Sequence, residues 1–143
     1  MRVDPGFQLT VPRGWNVVAR YQDPETRRLL VHAATVPLLP DRGDYGSGVI
    51  GTLGSDDVFL ALFEHGRDAV GTALFASRGL PRPRTFDFTP NAMQQVHPGM
   101  SGGQWFFTEA GRTWGLYAVL GSHARRQRGA VTVNTLLHGL HIR

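Results

Sequence analysis

The chain contains no cysteine. Disulfides, thiol catalysis and cysteine-built zinc sites are therefore excluded. It also lacks lysine, since all 15 of its Lys+Arg residues are arginine. Schiff-base chemistry and the lysine of a P-loop are excluded with it. No apolar run approaches the ~18–20 residues that a membrane-crossing helix needs. The opening MRVDPGFQ holds no apolar leader segment. The expected compartment is thus the cytoplasm, with a fragment of a secreted domain as the alternative. Charge is sparse at 18% of residues, and the formal balance is +4. That balance admits an acidic partner or nucleic acid but is ordinary for a soluble domain.

With 143 residues, 41% of them hydrophobic, the chain is long enough for one domain over 1–143 with a real core. Its strongest pattern is Gln104–Gly121, QWFFTEAGRTWGLYAVLG. This reads as a β-hairpin turning at Ala110-Gly111. Trp105 and Phe107 face one way and Phe106 the other. On the return strand Trp114, Leu116, Ala118 and Leu120 oppose Tyr117 and Val119. Both faces are apolar, so the hairpin is expected to be central and covered on both sides. Further strands are expected at Phe7–Val11, Asn16–Tyr21, Arg28–Val36, Val49–Leu53, Leu74–Ala76, Thr85–Phe88 and Ala92–His97.

Two helices are expected. The first runs over 55–66, capped by Ser55, with Asp56 and Asp57 in its first turn and Val58, Phe59, Leu62 and Phe63 as its apolar stripe. The second runs over 130–142, burying Val133, Leu136, Leu137 and Leu140. The fold class that follows is α+β: a twisted, mostly antiparallel sheet packed with two helices.

Three segments carry a family resemblance. Phe7–Trp15, FQLTVPRGW, resembles the opening of PsbP-like domains, a fold that includes the Ran-binding Mog proteins and small actinobacterial domains. The hairpin with Gly111-Arg112 at its turn and the closing VNTLLHGLHI are similar to the later parts of the same fold. The resemblance implies a PsbP-like sheet and a non-enzymatic binding or assembly module. It carries over no functional residue.

Candidate chemistry is thin. Gly99-Met100-Ser101-Gly102-Gly103 matches G-x-S-x-G, but a strand is expected to follow where a nucleophile elbow needs a helix. Its partners would be Glu109 and His123, or His32 and Asp57 in a trypsin-like arrangement. A plain glycine turn is the simpler reading. His138 and His141 stand three apart, sharing a helical side that could bind a metal, with no third ligand apparent near them; His65 and Glu64 are unplaced. Trp15, Trp105 and Trp114 read as core. Asp41, Asp44, Asp56 and Asp57 read as turn and cap residues without calcium-loop spacing.

The basic residues offer the best surface. Arg78, Arg82 and Arg84 share one loop, and Arg125, Arg126 and Arg128 another. Their guanidinium forks suit carboxylate or phosphate, and the two loops make one patch if they are neighbours in space. Functional loops are expected at 40–48, 78–84 and 122–128. The expected function is a protein-binding accessory or adaptor module with no cofactor and another protein as partner. A serine hydrolase centred on Ser101 and an anion or nucleic-acid binder using the arginine loops are the alternatives. A homo-oligomer covering the apolar Val36–Leu39 also stays open.

Overall fold

The computed structural model describes residues Met1–Arg143. Eight strands form two antiparallel sheets. The small sheet contains β1 (Arg2–Asp4), β2 (Phe7–Leu9) and β8 (Leu140–Ile142), in the order β1-β2-β8. The large one contains β3 (Asn16–Tyr21), β4 (Leu29–Ala34), β5 (Val58–Glu64), β6 (Ser101–Glu109) and β7 (Arg112–Leu120), in the order β3-β4-β5-β7-β6. A single α-helix, α1, spans Arg126–Leu137. No helix is long and apolar enough to cross a membrane.

This corrects the expected class, because only one helix packs on the sheet. The segment 55–66 is not helical: Val58–Glu64 is the middle strand, paired with β4 on one side and β7 on the other. A helix would bury Val58, Phe59, Leu62 and Phe63 and expose Leu60 and Ala61. In the fold Leu60 and Ala61 are buried as well, since a central strand covered on both faces has no solvent side. The acids expected in a helical first turn bind elsewhere. Asp57 accepts from the Gly54 amide at 2.8 Å and from the Thr35 hydroxyl at 2.9 Å, so it ties a loop instead.

The closing segment is also corrected. The helix begins and ends earlier than 130–142, and Leu140–Ile142 forms a strand paired with Phe7–Leu9. Gly139 makes the break: a Cβ there would lie 2.5 Å from the Thr10 carbonyl oxygen. Val49–Leu53, Leu74–Ala76, Thr85–Phe88 and Ala92–His97 do not form strands. Short 3-10 turns occupy Ile50–Thr52, Ala73–Phe75, Thr85–Asp87 and Pro90–Ala92.

The hairpin follows the alternation read from the sequence, but it is not central as expected: β7 is an inner strand and β6 is the sheet edge. β6 and β7 pair from Ser101↔Leu120 to Glu109↔Arg112. One face of the large sheet, with Leu29, Val31, Leu60, Leu62, Phe107, Trp114 and Leu116, packs on α1 and on Phe7, Leu9, Leu140 and Ile142 of the small sheet. The opposite face, with Ala34, Phe59, Ala61, Tyr117 and Val119, is covered by Val49, Ile50, Leu53 and Met93 from long loops. Val36 and Leu38 pack on this second cluster while Leu39 stays exposed, so most of the apolar run Val36–Leu39 is covered by the chain itself.

The two-residue hairpin turn has φ of 53° at Ala110 and 73° at Gly111. A primed turn of this kind demands positive φ at both positions, and alanine tolerates it poorly. Ala110→Gly is therefore expected to stabilise the protein by about 1 kcal/mol, measured as a higher urea midpoint at unchanged m-value.

Candidate functional site

The two arginine loops flank the same helix. Asn134 of α1 donates to the Pro83 carbonyl at 2.8 Å and so locks loop 78–84 against the helix. Arg125, Arg126 and Arg128 open that helix, and Arg128 lies about 9 Å along the axis from Asn134 at the usual helical rise. The sequence left this adjacency open because only tertiary packing sets it. Residues 77–79 run beside the outer edge of β6: the Gly79 amide donates to Thr108 at 2.9 Å and Thr108 to Ser77 at 2.8 Å. Arg78 is exposed there. Arg82 lines a shallow cleft with Asn134, Leu137 and His138. Arg84 lies over the Phe86 ring at 4.5 Å and 3.5 Å from Asp87.

At the helix start, cations face the positive end of the macrodipole. The offset comes from Asp56, which accepts from Arg125 at 2.7 and 3.2 Å and lies 3.7 Å from Arg128. The Arg125 hydrogen bond holds the Asp56 carboxyl below the usual carboxylate range. Arg126 donates to the His123 carbonyl at 3.0 Å. Phe86 and Val131, on the turn and on the helix, are 69% and 65% exposed.

The other candidate sets are not assembled. Ser101 begins β6, fully buried, and its Oγ has no hydrogen-bond partner. Glu109 ends the same strand, about 26 Å away at the usual rise per residue. The His123 Nδ1 is also buried without a partner, and no hydrogen bond joins it to Ser101. His32 points to the opposite face of the sheet from Ser101. His138 caps the end of α1 and His141 lies exposed on β8, so the helical spacing that would bring them to one side does not exist. Glu64 and His65 point to opposite faces of the sheet. No group of three His, Asp or Glu side chains is placed to hold a metal ion. Trp114 is core and Trp105 packs on Phe88 at 5.4 Å. An apolar void between the sheet and α1 measures about 20 Å³, enough for little more than a water.

Loop 40–48 is latched by His32. Arg42 Nε donates to His32 Nδ1 at 2.7 Å, so Nε2 carries the proton and donates to the Asp44 carbonyl at 2.7 Å. Burial, chiefly, pushes the imidazole below its ordinary pKa; the charges of Arg42 and Arg20 add to this, and the Asp44 carbonyl and carboxylate oppose it. Burial also lowers His65, helped by Arg28. A histidine whose folded pKa is depressed binds its proton more tightly when unfolded. Its stabilisation is therefore complete above the unfolded value of about 6.5 and is lost as pH falls toward the folded one. Urea midpoints are expected to drop between about pH 7 and pH 5, with a shallower drop in His32→Gln. An equal drop in the variant would contradict this assignment.

One constellation escaped sequence reading. Arg112, at the start of β7, is buried with Glu64 of β5 and half-buried Asp4 of β1. Arg112 Nε donates to Glu64 Oε2 and Nη2 to Oε1, both at 2.9 Å; Nη2 donates to Asp4 Oδ2 at 3.1 Å and Nη1 to Oδ1 at 3.4 Å. Glu64 also accepts from the Leu29 amide at 3.1 Å. The Glu64 hydrogen bond, foremost, raises the Arg112 pKa, so the guanidinium stays charged. It lies over Trp114 at 4.9 Å. The cluster forms one wall of an open cleft of about 550 Å³ that Tyr21, Arg27, Arg67 and Arg143 also line. Nothing in the spacing of positions 4, 64 and 112 signals it; only the strand pairing brings them together. Comparison with protein-family models, curated proteins and solved structures returned no match.

Proposed function

We propose that the chain is a non-enzymatic binding module, an accessory or adaptor domain that docks another protein on the surface made by α1 and residues 78–88. The observation that carries this is Phe86, 69% exposed yet held in place. Arg84 stacks on its ring, Phe88 two residues on is buried in the core, and Asn134 ties the loop to the helix. Exposed aromatic and arginine side chains on a rigid support are the types that dominate binding energy at interfaces. Val131 on α1 is also exposed, and Arg82, Arg84, Arg125 and Arg128 lie on the same two segments. That arrangement favours a partner with an apolar anchor among acidic residues.

The test is a nuclease-treated pull-down from lysate of the source cells, with wild type, Phe86→Ser and the triple variant Arg125→Gln, Arg126→Gln, Arg128→Gln as baits. One stoichiometric protein, lost with Phe86→Ser and weakened with the triple variant, is expected. Retention equal on all three baits, or on none, would contradict the assignment.

A further inference from the structure

From the cleft beside the buried Arg112 cluster we infer a second site, one that binds a small oxyanion with the chemistry of a phosphate group. It shares no lining residue with the cleft at α1 and does not rest on that face being a docking surface. Three observations converge. First, Arg27, Arg67 and Arg143 line the cleft and take part in none of the protein's ion pairs. With Arg112 they make four arginines against the side-chain carboxylates of Asp4 and Glu64, an excess of positive charge that suits an anion. Planar guanidinium forks bind phosphate oxygens bidentately.

Second, the wall of the cleft is rigid and has donor capacity in reserve. Arg112 has five N–H groups, and its hydrogen bonds to Glu64 and Asp4 account for four. One N–H of Nη1 has no protein acceptor. The Tyr21 hydroxyl accepts from Arg27 at 3.5 Å, and its own hydrogen also has no protein acceptor. A guanidinium clamped by two carboxylates pays no ordering cost on binding, which is what a preorganised site requires.

Third, Arg27, a non-glycine residue outside the hairpin turn with a positive φ of 56°, lines this cleft. Strained backbone concentrates at ligand clamps. At Arg27 the left-handed conformation closes a turn in which its amide donates to Asp23 at 3.1 Å, and it sets the guanidinium over the Tyr21 ring at 5.3 Å. An extended residue there would aim the charge elsewhere.

Inorganic phosphate is titrated into the ¹⁵N-labelled protein at constant ionic strength, with succinate as the carboxylate control. The expected result is saturable shifts confined to the residues of the cleft, among them Arg27, Arg67, Ala110, Arg112 and Arg143. Affinity should fall about tenfold in Arg27→Gln/Arg67→Gln, as the loss of two charge-assisted contacts implies. It should hold in Arg13→Gln, an exposed arginine outside the cleft. Arg67→Gln alone, at an exposed position, keeps the test sound if the Arg27 turn rearranges. Shifts that never saturate, equal loss in Arg13→Gln, or succinate binding as tightly as phosphate would overturn the inference.

Discussion

Arg112→Met is expected to lower stability by about 3–5 kcal/mol, the cost of breaking a buried ion pair from one side. The guanidinium pairs with both Glu64 and Asp4, donates four hydrogen bonds to them and covers the face of Trp114. Without it Glu64 is left 8% exposed, with the Leu29 amide as its sole remaining donor. The double variant Arg112→Met/Glu64→Leu should recover most of the loss, since replacing both buried partners by apolar groups of similar volume is close to neutral. Urea denaturation of the wild type and both variants measures this. A double variant as unstable as the single one would mean that the ion pair is not what the site depends on.

Charge placed at the centre of β5 should be as damaging. Leu60→Asp and Ala61→Asp are each expected to cost more than about 4 kcal/mol or to abolish folding, as burial of an unpaired carboxylate does. Leu60 faces α1 and the small sheet, and Ala61 faces the loop-covered side; they are 3% and 0% exposed. On a helix over 55–66 both positions would lie opposite the apolar stripe, and aspartate there would be nearly silent. Circular dichroism of the purified variants separates the two cases, and native spectra with unchanged melting for both would restore the helix.

That pair of positions also explains why the fold was only partly legible. The hairpin could be read because Phe106 against Trp105 and Phe107, and Tyr117 against Leu116, alternate over long strands with a glycine turn between them. Val58–Glu64 could not, because an uninterrupted apolar run satisfies helical and strand periods together. Its central position, buried on both faces, removes the polar residues that would have decided between them. Leu140–Ile142 was absorbed into the preceding helix because three residues are too few to change the apparent period. Only the contact of Gly139 with the Thr10 backbone forces the break there.

The site divides along the same line. Arg78, Arg82, Arg84, Arg125, Arg126 and Arg128 were visible as clusters, but their shared neighbour α1 and the exposure of Phe86 are tertiary facts. Arg112, Glu64 and Asp4 come from three strands, and no local pattern links them. The lone glycine-serine motif failed for the opposite reason. Its spacing was right, but Ser101 opens a buried strand, with no helix to follow it and no base bonded to it.

The central claim is that another protein docks on α1 and the turn bearing Phe86. Site-specific photocrosslinking in the source cells tests it most directly, with benzoylphenylalanine in place of Phe86 or, as a control, in place of Val18, an apolar residue 42% exposed on β3. The account predicts one discrete adduct from position 86, abolished by Arg84→Gln together with Arg128→Gln, and none from position 18. No adduct at 86, or the same adduct from both positions, would contradict it.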